Sequence, residues 1–192
     1  MRIVLATLVI AVLAGYLFGG RLSKLATLRI RWPATAIVAL ALQGIPVAGR
    51  TWPLVLLFVS LGLLLVFVIA NLRMRAAGFP LVAIGILLNF TVIAVNQGMP
   101  VTREALVASH QTDTLESLIH DGGAKHHLAA SGDRLLFLAD VIPIAPLRQA
   151  VSVGDVFTYL GVIWLVVAAM LGRATPATSV IDVPTSLVAP GR

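Results

Sequence analysis

The chain has 192 residues, 59% of them hydrophobic and only 11% charged, with a mean hydropathy of +1.00. Soluble domains carry about a quarter charged residues, so this composition excludes an ordinary soluble domain and indicates a polytopic membrane protein of one domain. The formal charge of +6 flanks apolar runs without interleaved aromatic residues, which argues against nucleic acid as a partner, and the lack of cysteine excludes disulfides and thiolate chemistry.

The first predicted span covers residues 3–20, an uncharged run preceded by Arg2. A cleaved signal peptide is the rival reading. The length of the run, and Arg21, Lys24, Arg29 and Arg31 behind it, favour a retained helix. The stretch RLSKLATLRIRW reads as a basic connection with snorkelling side chains. Further spans are predicted at 32–49, 53–70, 79–95 and 156–172, with Trp32 and Trp52 as interfacial anchors. In the fourth span Asn89 and Asn96 are seven residues apart, which places both amides on one helix face, looking into the bundle.

The polar stretch at 97–152 is the one substantial extramembrane region. It holds all four histidines and, counted with Asp155 just beyond it, seven of the eight acids. Residues 102–119 look helical, and Asp121-Gly122-Gly123 forces a break. The Pro-containing end, 173–192, is expected to be a disordered cytoplasmic tail. The excess of basic residues in the short connections places the N-terminus and the long loop outside and the C-terminus inside.

Two carboxylates flank a short apolar segment in LLFLADVIPIAPLRQAVSVGDVF, residues 135–157. Asp155 completes Ser152-Val-Gly-Asp155, a helix-opening pattern that explains it without further function. Asp140 has no such explanation: an ionised carboxylate among apolar neighbours is costly unless paired, which makes it a site candidate. Pro143 and Pro146 let the chain fold back and bring the two acids together. A close pair would share a proton, one acid activating water while the other protonates a carbonyl. The histidines lack a metal-binding spacing, so no metal and no cofactor is expected.

Two resemblances follow from these motifs. GGRLSKLATLRIRW, LLNFTVIAVNQGMPV, Lys125-His126 with Leu128, LLFLADVIPI and SVGDVF together resemble an uncharacterised family of bacterial multi-pass membrane proteins, which implies no activity. A smaller part of the chain is similar to bacterial lipoprotein signal peptidase, an aspartyl membrane enzyme. Asn96-Gln97-Gly98 looks like its Asn-x-Gly element and Asp133-Arg134 like its Asp-Arg pair, with Asp140 and Asp155 where its catalytic acids would stand. The resemblance implies four spans, where five are read here.

The expectation is therefore an all-α integral membrane bundle of about five transmembrane helices, with one polar outer loop containing short helical or re-entrant segments. It would lie in the bacterial cytoplasmic membrane. The first reading of function is a non-catalytic binding or assembly protein, with Asp140 paired to Arg134 or Arg148 and Asp155 a helix cap. The second is a hydrolase with Asp140 and Asp155 as catalytic dyad, and Asn96, Arg134 and His126 positioning the substrate. The partners expected are the lipid bilayer and a peptide, a lipoprotein or another membrane protein.

Overall fold

The computed structural model describes residues 2–74 and 78–174. Five apolar helices occupy the five predicted places: α1 (Arg2–Leu17), α2 (Pro33–Gly44), α3 (Thr51–Asn71), α4 (Gly78–Asn96) and, after the polar region, α7 (Val153–Met170). Three of them, α3, α4 and α7, are long and apolar enough to cross a membrane. The other two are shorter than predicted, at 16 and 12 residues, or about 24 and 18 Å of helix. Their ends have local causes. Gly19 takes a positive φ of 80° and Gly20 N donates to Gly15 O, a left-handed helix stop. Pro46 keeps Ile45 extended (φ −70°, ψ 118°), so α2 ends at Gly44.

Few outward-facing positions on these helices are polar. Leu5, Leu13, Ile37 and Leu40 are each more than 60% exposed, a surface suited to lipid and costly in water. The helices pack in a row: α1 lies on α7, α7 on α4, α4 on α3 and α3 on α2. The α4–α7 pair is the most intimate, and glycines make it so. Built at Gly161, a Cβ would lie 2.7 Å from the Gly78 carbonyl oxygen, and one at Gly154 would lie 2.7 Å from that of Gly85. Two glycines seven residues apart on each antiparallel helix thus let the backbones meet, as small residues do in membrane bundles. Polar side chains tie the remaining contacts. Ser60, fully buried on α3, donates to Ala39 O on α2 and receives a hydrogen bond from Gln43.

The polar region forms a cap over one end of the row. It contains β1 (Met99–Val101), α5 (Arg103–Ala108), α6 (Thr112–His120), β2 (His126–Leu128), β3 (Ile142–Ile144) and β4 (Gln149–Val151). The single helical stretch expected at 102–119 is two helices, interrupted where His110 adopts φ 57°. Strands β1 and β2 pair in parallel, Met99 opposite His126 and Val101 opposite Leu128. Strands β3 and β4 form an antiparallel hairpin, its turn at Ala145–Leu147 containing Pro146. These short strands were not anticipated, because three-residue pairings carry no periodicity to read. Val101, Leu106 and Leu115 give the cap a small core of its own.

The opposite end carries Arg21, Lys24, Arg29, Arg31, Arg73 and Arg173, and no acid among the described residues. There Asn71, the last residue of α3, accepts from Arg31 N (2.8 Å) and donates to Arg31 O (3.0 Å), pinning the α1–α2 connection. The expected disordered tail lies, beyond Ala174, outside the described residues.

Candidate functional site

At the cap, Asn96 repeats the device that Asn71 uses at the other end. Its side chain accepts from Arg134 N (2.8 Å) and donates to Arg134 O (2.9 Å). Asn96 and Arg134 are thus brought together, but through the backbone of Arg134, whose guanidinium is on the exposed surface. The clamp sets down the following segment, in which Leu135, Leu136 and Leu138 pack on the main core.

That segment delivers Asp140 to the flank of β1. Asp140 N donates to Pro100 O (3.0 Å), and Thr102 N donates to Asp140 O (3.3 Å). The side chain is buried, at 6% residue exposure, and Oδ1 has no hydrogen-bond partner. Oδ2 lies 3.7 Å from His126 Nε2, beyond hydrogen-bond length. Neither Arg134 nor Arg148 pairs with Asp140, which corrects the expectation. Arg148 donates to His110 O and lies 4.0 Å from Asp113. Burial, and secondarily the Asp155 carboxylate, push the Asp140 carboxyl well above its ordinary value, so it favours the protonated state.

Asp155 is placed quite differently. Ser152 caps α7, its Oγ accepting from Asp155 N (2.9 Å) while Asp155 Oδ2 accepts from Ser152 N (3.2 Å). The other oxygen accepts from Asn89 Nδ2 (2.7 Å), and Ser152 Oγ donates to Asn89 Oδ1 (2.8 Å). Asn89 therefore joins α4 to the start of α7 with both ends of its amide. Each oxygen of Asp155 has a donor, and the charge sits at the positive end of the helix dipole.

His127 is not a lone surface group. His127 Nε2 lies 3.1 Å from both oxygens of Asp133, which also accepts from Ala130 N. Its Nδ1 is buried without a partner beside Gly98. Among the described residues no cluster of three or more His, Cys, Asp or Glu could hold a metal.

Asp140 and His126 line a cleft of about 520 Å³ between the cap and the tip of the α2–α3 hairpin. One wall is apolar, with Ile45, Val47 and Pro53; the other carries Thr114, Ser117 and Lys125. Lys125 Nζ donates to Gln43 O, one of the free carbonyls at the end of α2, and so ties β2 to that hairpin. Asp155, Asn96 and Arg134 do not line this cleft. Of the residues singled out from sequence, the structure thus unites Asp140 with His126 and Asn96 with Arg134, and gives Asp155 to Asn89 and Ser152. The sequence reading passed over Lys125 and the 45–53 turn as cleft walls. A lysine just before a short strand and a Pro-containing turn carry no local signal of meeting.

The family model for a family of unknown function, DUF5317, matches residues 27–167. The chain belongs to that family. The match runs from the α1–α2 connection into the last turns of α7 and includes both the cap and the cleft. No curated protein and no solved structure matches the chain. Membership in DUF5317 brings no activity with it, so function has to be argued from the site.

Proposed function

We propose that this DUF5317 protein is a non-catalytic membrane binding protein whose cap and α2–α3 tip form a ligand cleft at the outer bilayer face. The observation that carries this reading is Asp140: a buried carboxyl with an unpartnered oxygen, on the wall of a 520 Å³ cleft. Buried polar atoms are nearly always satisfied, and an orphan beside a cleft is completed by what enters it. All five apolar helices cross the bilayer in this reading. Their ends alternate between the two faces: Gln149 beside the start of α1, Arg31 beside the end of α3, Lys125 at the end of α2, and Arg21 beside Met170 at the end of α7. The six basic residues at the opposite end, with no acid among the described residues there, support placing that end on the cytoplasmic side of a bacterial inner membrane.

The hydrolase reading has one observation in its favour, the influence of the Asp155 carboxylate on Asp140. Against it, both Asp155 oxygens hold donors, and the residue is absent from the cleft wall. Separate Asp140→Asn and Asp155→Asn variants, compared at equal membrane abundance for the phenotype of losing the protein, distinguish the two. Binding predicts a partial loss for the first and little loss for the second. Complete loss in both, with abundance unchanged, would establish the dyad instead.

A further inference from the structure

The chemistry of the cleft narrows what can enter it. The cleft opens at the level where α2 ends at Gly44 and α3 begins at Thr51, which is where an apolar bundle meets a polar cap. A ligand seated there meets hydrocarbon-compatible groups on one side and hydrogen-bonding groups on the other. Ile45 and Val47 are exposed, and Pro53, in the first turn of α3, lines the cleft beside them.

The polar wall has an uneven charge. Among the described residues Lys125 is its one permanently charged cation, and its ammonium, with three donors, uses one on Gln43 O. Among the described residues no carboxylate pairs with it. The one acid on the wall among the described residues, Asp140, is held toward its neutral form by burial, so its hydroxyl can donate as well as its carbonyl accept. His126, its side chain 55% exposed, presents a further ring nitrogen. A cation with free donors, an imidazole and a neutral carboxyl are complementary to an oxyanion that also bears a hydroxyl.

We infer that the cleft seats the phosphate ester at the head of an amphiphile: Lys125 and His126 meet phosphate oxygens, Asp140 meets an adjoining hydroxyl or phosphate oxygen, and Ile45, Val47 and Pro53 meet the first carbons of the chain. This inference rests on the reading of the cleft as a ligand site. The phosphate ester belongs either to a lipid headgroup or to a water-soluble ester, and the apolar wall favours the lipid.

The test uses the full chain in a neutral detergent, with short-chain phosphatidylglycerol, glycerol phosphate and an uncharged short-chain diacylglycerol as probes. The expected result is saturable binding of phosphatidylglycerol, with affinity lowered about tenfold or more by Lys125→Ala. Glycerol phosphate should compete at least about tenfold more weakly, because it leaves the apolar wall empty. Should Lys125→Ala fail to fold, Ser117→Glu places a negative charge on the same wall without touching the Gln43 contact, and should weaken binding similarly. Val47→Trp, which fills the cleft from an exposed turn, should abolish binding of every probe. Equal binding of the uncharged lipid, indifferent to Lys125→Ala or Ser117→Glu but lost in Val47→Trp, would overturn the phosphate assignment and leave the ligand site standing. Glycerol phosphate binding as tightly as the lipid would overturn the amphiphile. Failure of all probes to saturate would overturn the inference and, were Val47→Trp also silent in the cellular phenotype, the ligand-site reading with it.

Discussion

Asp140 and Asp155 stand on either side of one β-hairpin, yet the structure treats them as opposites. Asp155 lies at the helix N-terminus of α7 with a donor on each oxygen, clamped against Asn89 by glycines that let α4 and α7 touch. Asp140 is held by its backbone alone; its side chain has a distant imidazole, an unpartnered oxygen and a cleft before it. A fully satisfied carboxylate contributes to stability, whereas a buried, unsatisfied one costs stability and is kept for another purpose.

The strongest way to break the comparison is to push α7 off α4. Gly154→Val puts a Cβ 2.7 Å from Gly85 O, backbone that cannot yield, and into the Asn89 amide. A loss of about 3 kcal/mol or more is expected, read as a fall in thermal unfolding temperature and in membrane abundance. Next in size, Asp155→Ala removes the reciprocal half of the capping box and the partner of Asn89. The expected cost is about 2 kcal/mol in unfolding measured in detergent. A loss no larger than that of an exposed-site control such as Glu104→Ala would contradict a structural role for Asp155.

The smallest effect on stability belongs to Asp140→Asn, and its sign depends on pH. Because the folded-state pKa of Asp140 is raised above the ordinary 3.8, the proton binds more tightly to the folded protein than to the unfolded one. The contribution of this group is therefore complete below about pH 4 and is lost as pH rises toward the folded-state value. Asparagine, which has no charge to acquire, should flatten that decline, so the variant gains on the natural protein from acid to neutral pH. A parallel pair of unfolding-temperature profiles across pH would contradict the burial of an ionisable Asp140.

Much of this contrast was legible in the residues. Ser152-Val-Gly-Asp155 specifies its cap locally, since donors and acceptors three residues apart meet whenever a helix begins there. Likewise Asn89 and Asn96, in an apolar run, were bound to face inward, and each found a partner on another segment. The partner of Asp140 could not be read that way. The arginines nearest in sequence were the natural candidates, and a histidine on a separate strand proved to be its neighbour. Nor could the cleft be read, because its walls come from the α2–α3 turn and from the cap, far apart along the chain and joined by a lysine reaching a helix-end carbonyl.

By itself, the sequence determined the membrane character, the places of five apolar helices, the basic and acidic ends, and the cap on α7. Each depends on composition or on residues within a turn of one another, so local physics suffices. Only the tertiary structure decided that Gly78 and Gly85 oppose Gly161 and Gly154, and that Asp140 faces a cleft while Asp155 does not. Those outcomes depend on which surfaces meet after the chain has turned back on itself, and no spacing along the chain encodes that directly.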